Sequence, residues 1–189
     1  MKASYIFLAD GFEDMEALCT VDILRRGGVP VKTVSIYEDR WSVESSHGVV
    51  VEADMNFPEF EPEFASEGAG ALIFPGGLPG SKYLAEKKEL IAAMVRHAGE
   101  GGLVASICAA PGLVTSQLPG QEGRRFTCYP GCEDIPVSKG AVCTGASVEQ
   151  DGNLITGRGP GLAMEFGLAV LARLAGEAAA DGVRKGLLL

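Results

Sequence analysis

Short apolar runs alternate with segments of helical periodicity along the whole chain. The runs typical of buried strands cover residues 5–8, 31–36, 71–74 and 103–107. Residues 47–53 predict a strand of a small hairpin, and residues 148–155 predict a second hairpin around the turn Asp151-Gly152-Asn153. Because strands that are apolar throughout are typical of covered parallel sheets, the pattern predicts an α/β fold with helices on both faces of a parallel central sheet.

The helical segments lie between these strands. The first carries apolar residues at spacings of three, Met15, Leu18, Val21 and Leu24, and ends at Gly27-Gly28. Further helices are predicted over residues 90–97, 109–118 and 161–174, whereas the acidic and proline-bearing stretch 57–64 is predicted to be a surface loop. No repeat, low-complexity tract or linker interrupts the alternation, so we expect a single domain over residues 1–189.

Three loops should meet at one edge of the predicted sheet. Ligand sites in open parallel sheets form outside the carboxyl ends of the strands. The loops that qualify are residues 10–16, residues 75–80 and the position of Cys108, directly after the strand 103–107. We therefore predict a site built from these three loops.

Cys108 is the residue that this arrangement would place in the predicted site. It lies between a strand and a predicted helix, with Ala109 and Ala110 on its helix side, as a crowded strand–turn–helix elbow requires. Free amides and the dipole at the start of a helix would lower the thiol pKa from its ordinary value of about 8.5. A buried, inert cysteine is the commoner fate of a free thiol, but the elbow context favours a reactive one.

Glu16, Gly76 and Gly77 are the predicted partners of this thiol. Acidic residues in a first helical turn usually complement the helix dipole, and that role suffices for Glu13 and Asp14. Glu16 differs, because a carboxyl shielded from water near the thiol would have a raised pKa and could share a proton with it. The two glycines form either a simple turn or a pocket of backbone amides for a reacting oxygen.

Composition and charge narrow the classes of function. Of the 189 residues, 47% are apolar and 22% charged, and the formal net charge of -9 argues against nucleic-acid partners and anionic membranes. No signal peptide or membrane-spanning run is visible, so we expect a cytoplasmic protein. His47 and His97 both lie outside the three loops, so the sequence offers no Cys–His pair of the protease kind.

Five cysteines in a chain without a signal peptide predict reduced thiols rather than a disulfide framework. Cys128 and Cys132 have a spacing that suggests a metal site, but structural zinc needs four ligands and only Cys143 follows them. We therefore predict no metal and no cofactor. A disulfide formed among these thiols by peroxide has no support in the sequence alone.

Five segments together resemble the ThiJ/PfpI superfamily, most closely its DJ-one branch, which holds the parkinsonism-associated protein and its bacterial homologues. They run in order over nearly the whole chain: GFEDMEAL at 11–18, VDILRRGG at 21–28, FPGGLPG at 74–80, ASICAAPGLV at 105–114 and TGRGPGLAMEFGLAV at 156–170. The set is specific, although each segment alone would not be. The resemblance implies a flavodoxin-like three-layer sandwich that forms a homodimer.

The resemblance also implies roles for single residues. Cys108 would lie at the elbow with Glu16 hydrogen-bonded to it, and backbone amides would form a pocket beside the sulfur. The residues matched to that amide pocket are Gly76, Gly77 and Ala109. The residues matched to a substrate pocket or the dimer-facing side of the site are Arg26, Arg158, Tyr129 and His47.

Three of these positions depart from relatives in the superfamily. Ala109 stands where the protease branch has a histidine, which argues against protease activity. Tyr129 stands where the human-like branch has a histidine, which removes a candidate proton shuttle. His47 stands where some relatives carry an arginine, so we expect weaker anion binding there.

Two functions are compatible with these residues. The first is glyoxalase- or deglycase-type detoxification of small aldehydes such as methylglyoxal, or of glycated substrates. In it Cys108 forms a hemithioacetal and Glu16 moves the protons. The alternative is a peroxide-responsive sensor or stress chaperone, in which Cys108 is oxidised without substrate turnover. The sequence favours the enzyme slightly.

Overall fold

A seven-stranded sheet forms the centre of the molecule, and the computed structural model describes residues 1–189. In chain order the strands are β1 (Ser4–Leu8), β2 (Val31–Ser35), β3 (Ser42–Glu44), β4 (Val50–Glu52), β5 (Met55–Asn56), β6 (Ala71–Phe74), β7 (Leu103–Ile107), β8 (Arg125–Phe126), β9 (Val142–Cys143), β10 (Val148–Asp151) and β11 (Leu154–Gly157). The sheet order is β10-β11-β7-β6-β1-β2-β5. Only the edge strand β10 runs antiparallel to its neighbour, so the predicted parallel sheet is confirmed.

Two small strand pairs lie outside this sheet. Strands β3 and β4 form an antiparallel hairpin, and β8 and β9 pair in parallel. The hairpin predicted around residues 47–53 is confirmed, although its second strand is confined to β4. The hairpin predicted around Asp151-Gly152-Asn153 is the β10–β11 pair.

Helices cover both faces of the sheet. They are α1 (Asp14–Arg26), α2 (Phe57–Glu67), α3 (Gly80–Glu86), α4 (Lys88–Gly99), α5 (Ala110–Leu113), α6 (Asp134–Ser138), α7 (Ala163–Ala175) and α8 (Glu177–Gly186). Ile6 and Leu8 of β1 pack toward α1, α7 and α8, whereas Tyr5 and Phe7 pack toward α2, α3 and α4. Both faces of the strand are therefore buried, which explains why its sequence is apolar throughout.

The loop predicted over residues 57–64 is wrong, because this stretch forms α2. Asn56 and Glu59 make a reciprocal capping box, in which each side chain accepts the other residue's backbone N–H. Pro58 lies in the first turn, where a missing N–H costs little. Phe57, Phe60 and Phe64 share one face of the helix, and all three are buried. The burial of this face outweighs the prolines and acids that suggested a loop.

One further helix differs from its prediction. The helix predicted over 109–118 is only α5 followed by one 3-10 turn, Thr115–Gln117. Helix α1 is confirmed, but its apolar stripe is only partly buried, since Met15 is 51% and Leu18 38% exposed. No helix of the fold combines the length and the apolar character that crossing a membrane requires.

Candidate active site

Cys108 occupies a strained turn between β7 and α5. Its backbone has a φ of 65°, in the left-handed region that side chains other than glycine rarely adopt. The Cys108 N–H donates to the Gly157 carbonyl at 2.9 Å, and the Cys108 carbonyl accepts from Tyr129 N–H at 2.8 Å. Contacts on both sides therefore hold a conformation that costs roughly 1–3 kcal/mol. The predicted strand–turn–helix elbow is confirmed.

Glu16 lies fully buried beside this elbow. Its Oε2 accepts a hydrogen bond from Gly76 N–H at 2.7 Å, while its Oε1 is buried without a well-aligned hydrogen-bond partner. A Cβ placed on Gly76 would lie 2.6 Å from Oε2 and 3.0 Å from the Cys108 Sγ. The carboxyl and the thiol thus flank the same glycine, and the three loops meet as the topology predicted.

The two acidic groups influence each other's protonation. Burial raises the pKa of Glu16 to about 7, against the lowering effects of the Cys108 thiol and the Gly76 amide. Burial, followed by the charge of Glu16, raises the pKa of the Cys108 thiol, although the amides of Gly77 and Ala109 act in the opposite direction. A buried thiol and carboxyl in contact titrate as a pair, and near neutral pH the carboxyl gains or loses its proton while the sulfur keeps its own.

The thiol pKa therefore moves opposite to the direction predicted from the helix dipole. Helix α5 has only four residues, so its dipole is short and cannot offset burial beside a carboxylate. The resting sulfur is a thiol, and Glu16 is the base that can take its proton. A nucleophilic reaction at Cys108 would therefore begin with the transfer of the thiol proton to Glu16.

The backbone geometry shows which amides of the pocket bind Glu16 and which face the Cys108 sulfur. The Gly76 N–H is already bound to Glu16, so this residue positions the carboxyl. Gly77 has a φ of 87°, and a Cβ there would lie 2.4 Å from the Gly11 carbonyl oxygen. No larger residue fits this position. The amides that face the Cys108 sulfur are those of Gly77 and Ala109, and they remain available for a developing negative charge.

The β3–β4 hairpin brings His47 to the start of α1. Its Nδ1 lies 2.6 Å from a carboxylate oxygen of Asp14, and the hydrogen bond to Asp14, followed by the Asp14 charge, raises the pKa of the His47 imidazole. Ligand atoms of Glu13, Asp14 and His47 lie within 4.8 Å of one another. An acid–histidine contact at the surface has this geometry without an ion, so we assign no metal to it. His47 thus reaches the rim of the site.

Tyr129 and Arg158 lie on the other side of the elbow. Tyr129 binds the Cys108 carbonyl through its backbone, and its half-exposed ring lies against Gly159, where a Cβ would be 3.3 Å from the ring. Arg158 follows β11 and donates to the Gly145 carbonyl at 2.9 Å. Cys108 thus binds the backbone of Tyr129 and of Gly157, the neighbour of Arg158, while the assignment of Tyr129 and Arg158 to a substrate or dimer-side pocket stays a prediction.

Arg26 does not belong to the site within one chain. It ends α1, ten residues beyond Glu16, a separation of ~15 Å along the helix. Its Nε donates to Asp22 at 2.6 Å, and the side chain is exposed. Arg26 therefore lies away from the elbow of its own subunit, and its assignment to the dimer-facing side of the site stays a prediction.

Two contacts of the site were not predicted. Glu13 accepts the Glu16 N–H at 2.8 Å and donates its own N–H to the Gly76 carbonyl at 3.0 Å, which joins two of the three loops. Asp14 binds His47 across 33 residues of sequence. The position of Glu13 directly before α1 is a sequence signal for its capping contact. No spacing along the chain indicates the contact between Asp14 and His47.

The fold and the elbow define a class of α/β proteins that present one cysteine at the end of a central strand. The family model described as DJ-1/PfpI matches residues 2–173, and the chain belongs to this family. Protein dj-1beta of Drosophila melanogaster is 36% identical over 189 residues, covering 100% of this chain and 97% of the relative.

Two further comparisons extend this result. A protein named deglycase from Pyrococcus abyssi is 36% identical over 157 residues, covering 82% of this chain and 89% of the relative. The crystal structure of a mutant DJ-1 superfamily protein from Salmonella typhimurium is 34% identical and superposes with a TM-score of 0.90, covering 100% of this chain and 98% of that one. The superfamily and the sandwich fold inferred from the sequence are therefore confirmed.

Proposed function

We propose that this protein is a cysteine-dependent glyoxalase or deglycase that detoxifies small reactive aldehydes such as methylglyoxal. The observation that carries the proposal is a buried Glu16 carboxyl with a pKa of about 7 beside the Cys108 thiol. A base with a pKa near the working pH is well suited to proton transfer. The deglycase name of the Pyrococcus abyssi relative supports the same reaction class.

The reaction begins when the Cys108 sulfur bonds to the aldehyde carbon and the thiol proton passes to Glu16. The carbonyl oxygen becomes an oxyanion, which the amides of Gly77 and Ala109 stabilise before it takes up a proton. Glu16 then moves a proton from the first to the second carbon of the hemithioacetal. This isomerisation gives a thioester, which water hydrolyses to lactate. Methylglyoxal and water together account for every atom of lactic acid, so no oxidant or cofactor is consumed.

In this mechanism Glu16 carries out these proton transfers alone, because position 129 holds a tyrosine rather than a histidine. We propose that the same carboxyl acts in turn as base and acid, since its pKa leaves both protonation states populated near neutral pH. We propose no peptide hydrolysis, because Ala109 leaves no histidine beside the sulfur to activate it.

The test is lactate formation from methylglyoxal by the purified protein. Cys108→Ala should abolish it, and Glu16→Gln should lower kcat by about 10²–10⁴-fold, the usual contribution of a general acid–base group. Cys19→Ala is the matched control, since Cys19 is a partly buried thiol on α1 outside the site. An unchanged rate in Cys108→Ala would reject the proposal.

A second candidate is a peroxide response at the same cysteine. The amides of Gly77 and Ala109 face the sulfur and would donate hydrogen bonds to the oxygens of a sulfinate. After mild peroxide treatment the intact mass should rise by about 32 Da, the two oxygens of a sulfinic acid. Persistence of this addition in Cys108→Ser would assign the oxidation to another residue and exclude this role.

We also propose that the functional unit is a homodimer. The supporting observation is an exposed apolar surface at the start of α1 and on the β3–β4 hairpin. Its members are Met15, Leu18, Val49 and Val50, which are 51%, 38%, 47% and 64% exposed. The Phe12–Ser45 bridge and the Ser46 N–H bond to the Phe12 carbonyl hold the hairpin beside α1.

A further inference from the structure

Three of the five cysteines lie together in the segment between β8 and β9. Cys128 is 3% exposed and packs with Phe126 and Ala141 in a small apolar cluster of its own. Cys132 is partly buried against the same cluster, and Cys143 is exposed at the end of β9. None of these thiols takes part in the chemistry proposed for the elbow.

The backbone fixes how two of these thiols meet. In the parallel pair β8–β9, Phe126 is the register partner of Cys143, and Thr144 N–H donates to the Phe126 carbonyl at 2.8 Å. Cys128 follows Phe126 by two residues. Burial raises the pKa of the Cys128 thiol, and the nearby Cys143 thiol acts in the same direction. The strand pair therefore places a buried thiol and an exposed thiol near each other.

Such a cluster of thiols can either bind a soft metal ion or form a disulfide. A metal site would need at least three ligand atoms close together. The only group of three potential ligands within 4.8 Å of one another is Glu13, Asp14 and His47, at the other side of the elbow. The cysteine cluster is arranged as a pair, which favours a disulfide.

We propose that Cys128 and Cys143 form a redox-active dithiol, separate from the Cys108 site, that hydroperoxides convert to an intramolecular disulfide. The exposed Cys143 sulfur attacks one peroxide oxygen, which breaks the O–O bond, gives a sulfenic acid and, with hydrogen peroxide, releases the other oxygen as water. The Cys128 sulfur then attacks that sulfur and releases the oxygen as water. With hydrogen peroxide, two thiols lose two protons and two electrons in total, and two water molecules form.

The position of this pair connects it to the elbow. Cys128 directly precedes Tyr129, whose N–H donates to the Cys108 carbonyl at 2.8 Å. Cys132 packs on the helix that follows the elbow, since a Cβ at Gly112 would lie 2.0 Å from the Cys132 carbonyl oxygen. A disulfide at Cys128 would therefore constrain the loop that holds the strained turn of Cys108.

The experiment uses the Cys108→Ser protein, in which oxidation at the elbow cannot contribute. After treatment with hydrogen peroxide, the intact protein should become about 2 Da lighter and lose two free thiols. Trypsin cuts after Arg125, Lys139 and Arg158. Cys128 and Cys132 therefore share peptide 126–139, while Cys143 lies in peptide 140–158. The expected product is a reducible cross-link between these two peptides.

Single-cysteine variants in the same background decide which thiols react. Cys143→Ser should abolish the cross-link, and because this residue is exposed the variant should keep its fold. Cys132→Ser should leave the cross-link intact and is the matched control. A cross-link that persists in Cys143→Ser, one that disappears in Cys132→Ser, or oxygen addition without any cross-link would each overturn the proposal.

Discussion

At the scale of single residues, the burial of Glu16 both raises the pKa of its carboxyl and costs the folded protein stability at high pH. Its pKa is about 7 in the folded protein, above the ordinary value of 4.5, because it is buried. The folded chain therefore holds this proton over a pH range in which the unfolded chain has released it. A group whose folded pKa is raised stabilises the protein below its unfolded pKa and loses that contribution as pH rises through the folded pKa.

Glu16→Gln should accordingly stabilise the protein at high pH, although it should lower kcat. A pKa change from 4.5 to about 7 corresponds to at most ~3 kcal/mol. We expect urea unfolding at pH 8.5 to show a higher free energy of unfolding for the variant, with the difference vanishing near pH 4. Glu61→Gln, at an exposed position of α2, should show no such pH-dependent gain. Equal stabilities of variant and parent at pH 8.5 would contradict the burial cost.

Gly76→Ala tests the close approach of the two reacting side chains. The new Cβ would lie 2.5 Å from the Cys108 Cβ and 2.6 Å from Glu16 Oε2, so both groups must shift. We expect kcat/KM for methylglyoxal to fall by about 10²-fold or more, as for other ångström-scale displacements of reacting groups. Gly99→Ala is the control, because a Cβ there meets nothing within 4 Å. Thermal melting of both variants separates misplacement from unfolding, and full activity in Gly76→Ala would contradict the crowding.

At the scale of elements, Asn56 tests why residues 57–67 are a helix. Its side chain accepts the Glu59 N–H at 3.2 Å and donates to the Glu38 carbonyl at 3.1 Å. Asn56→Ala should lower the free energy of unfolding by about 1–2 kcal/mol, the usual loss for a helix cap. Urea unfolding measures it, with the surface substitution Glu61→Ala as a control expected within about 0.5 kcal/mol of the parent. Equal losses in both variants would exclude the cap as the cause.

The strands and helices show which sequence signals were sufficient to predict secondary structure. Strands β1, β6 and β7 were predictable because both of their faces are buried, which leaves no polar position to confuse the pattern. Helix α2 was missed although its capping box and its phenylalanine spacing are both present in the sequence, since two prolines and several acids outweighed them. The short length of α5 depends on tertiary contacts, such as the Cys132 carbonyl against Gly112, which no local pattern contains.

At the scale of the whole molecule, the sheet topology explains most of the site. Strands β1, β6 and β7 are neighbours and parallel, so the loops after them must meet at one edge, and this followed from the sequence. The docking of the β3–β4 hairpin on α1, which brings His47 to Asp14, did not follow from the sequence, because it depends on contacts across more than thirty residues. The direction of the Cys108 pKa also depends on burial that only the packed molecule has.

The exposed apolar surface of α1 and the β3–β4 hairpin provides the last prediction. A second copy that covers Leu18 and Val50 would remove these side chains from water and would bring the Arg26 of the second copy to this surface.

Leu18→Glu would place an unpaired charge in that interface, and we expect dimer affinity to weaken at least ~100-fold, equivalent to about 3 kcal/mol. Light scattering coupled to size exclusion measures this as a change from twice the chain mass to the chain mass. Val142→Glu, at an apolar position of β9 that is 51% exposed, should leave the dimer intact. A monomeric parent protein would refute the homodimer itself, whereas a dimeric Leu18→Glu variant would place the interface on another surface.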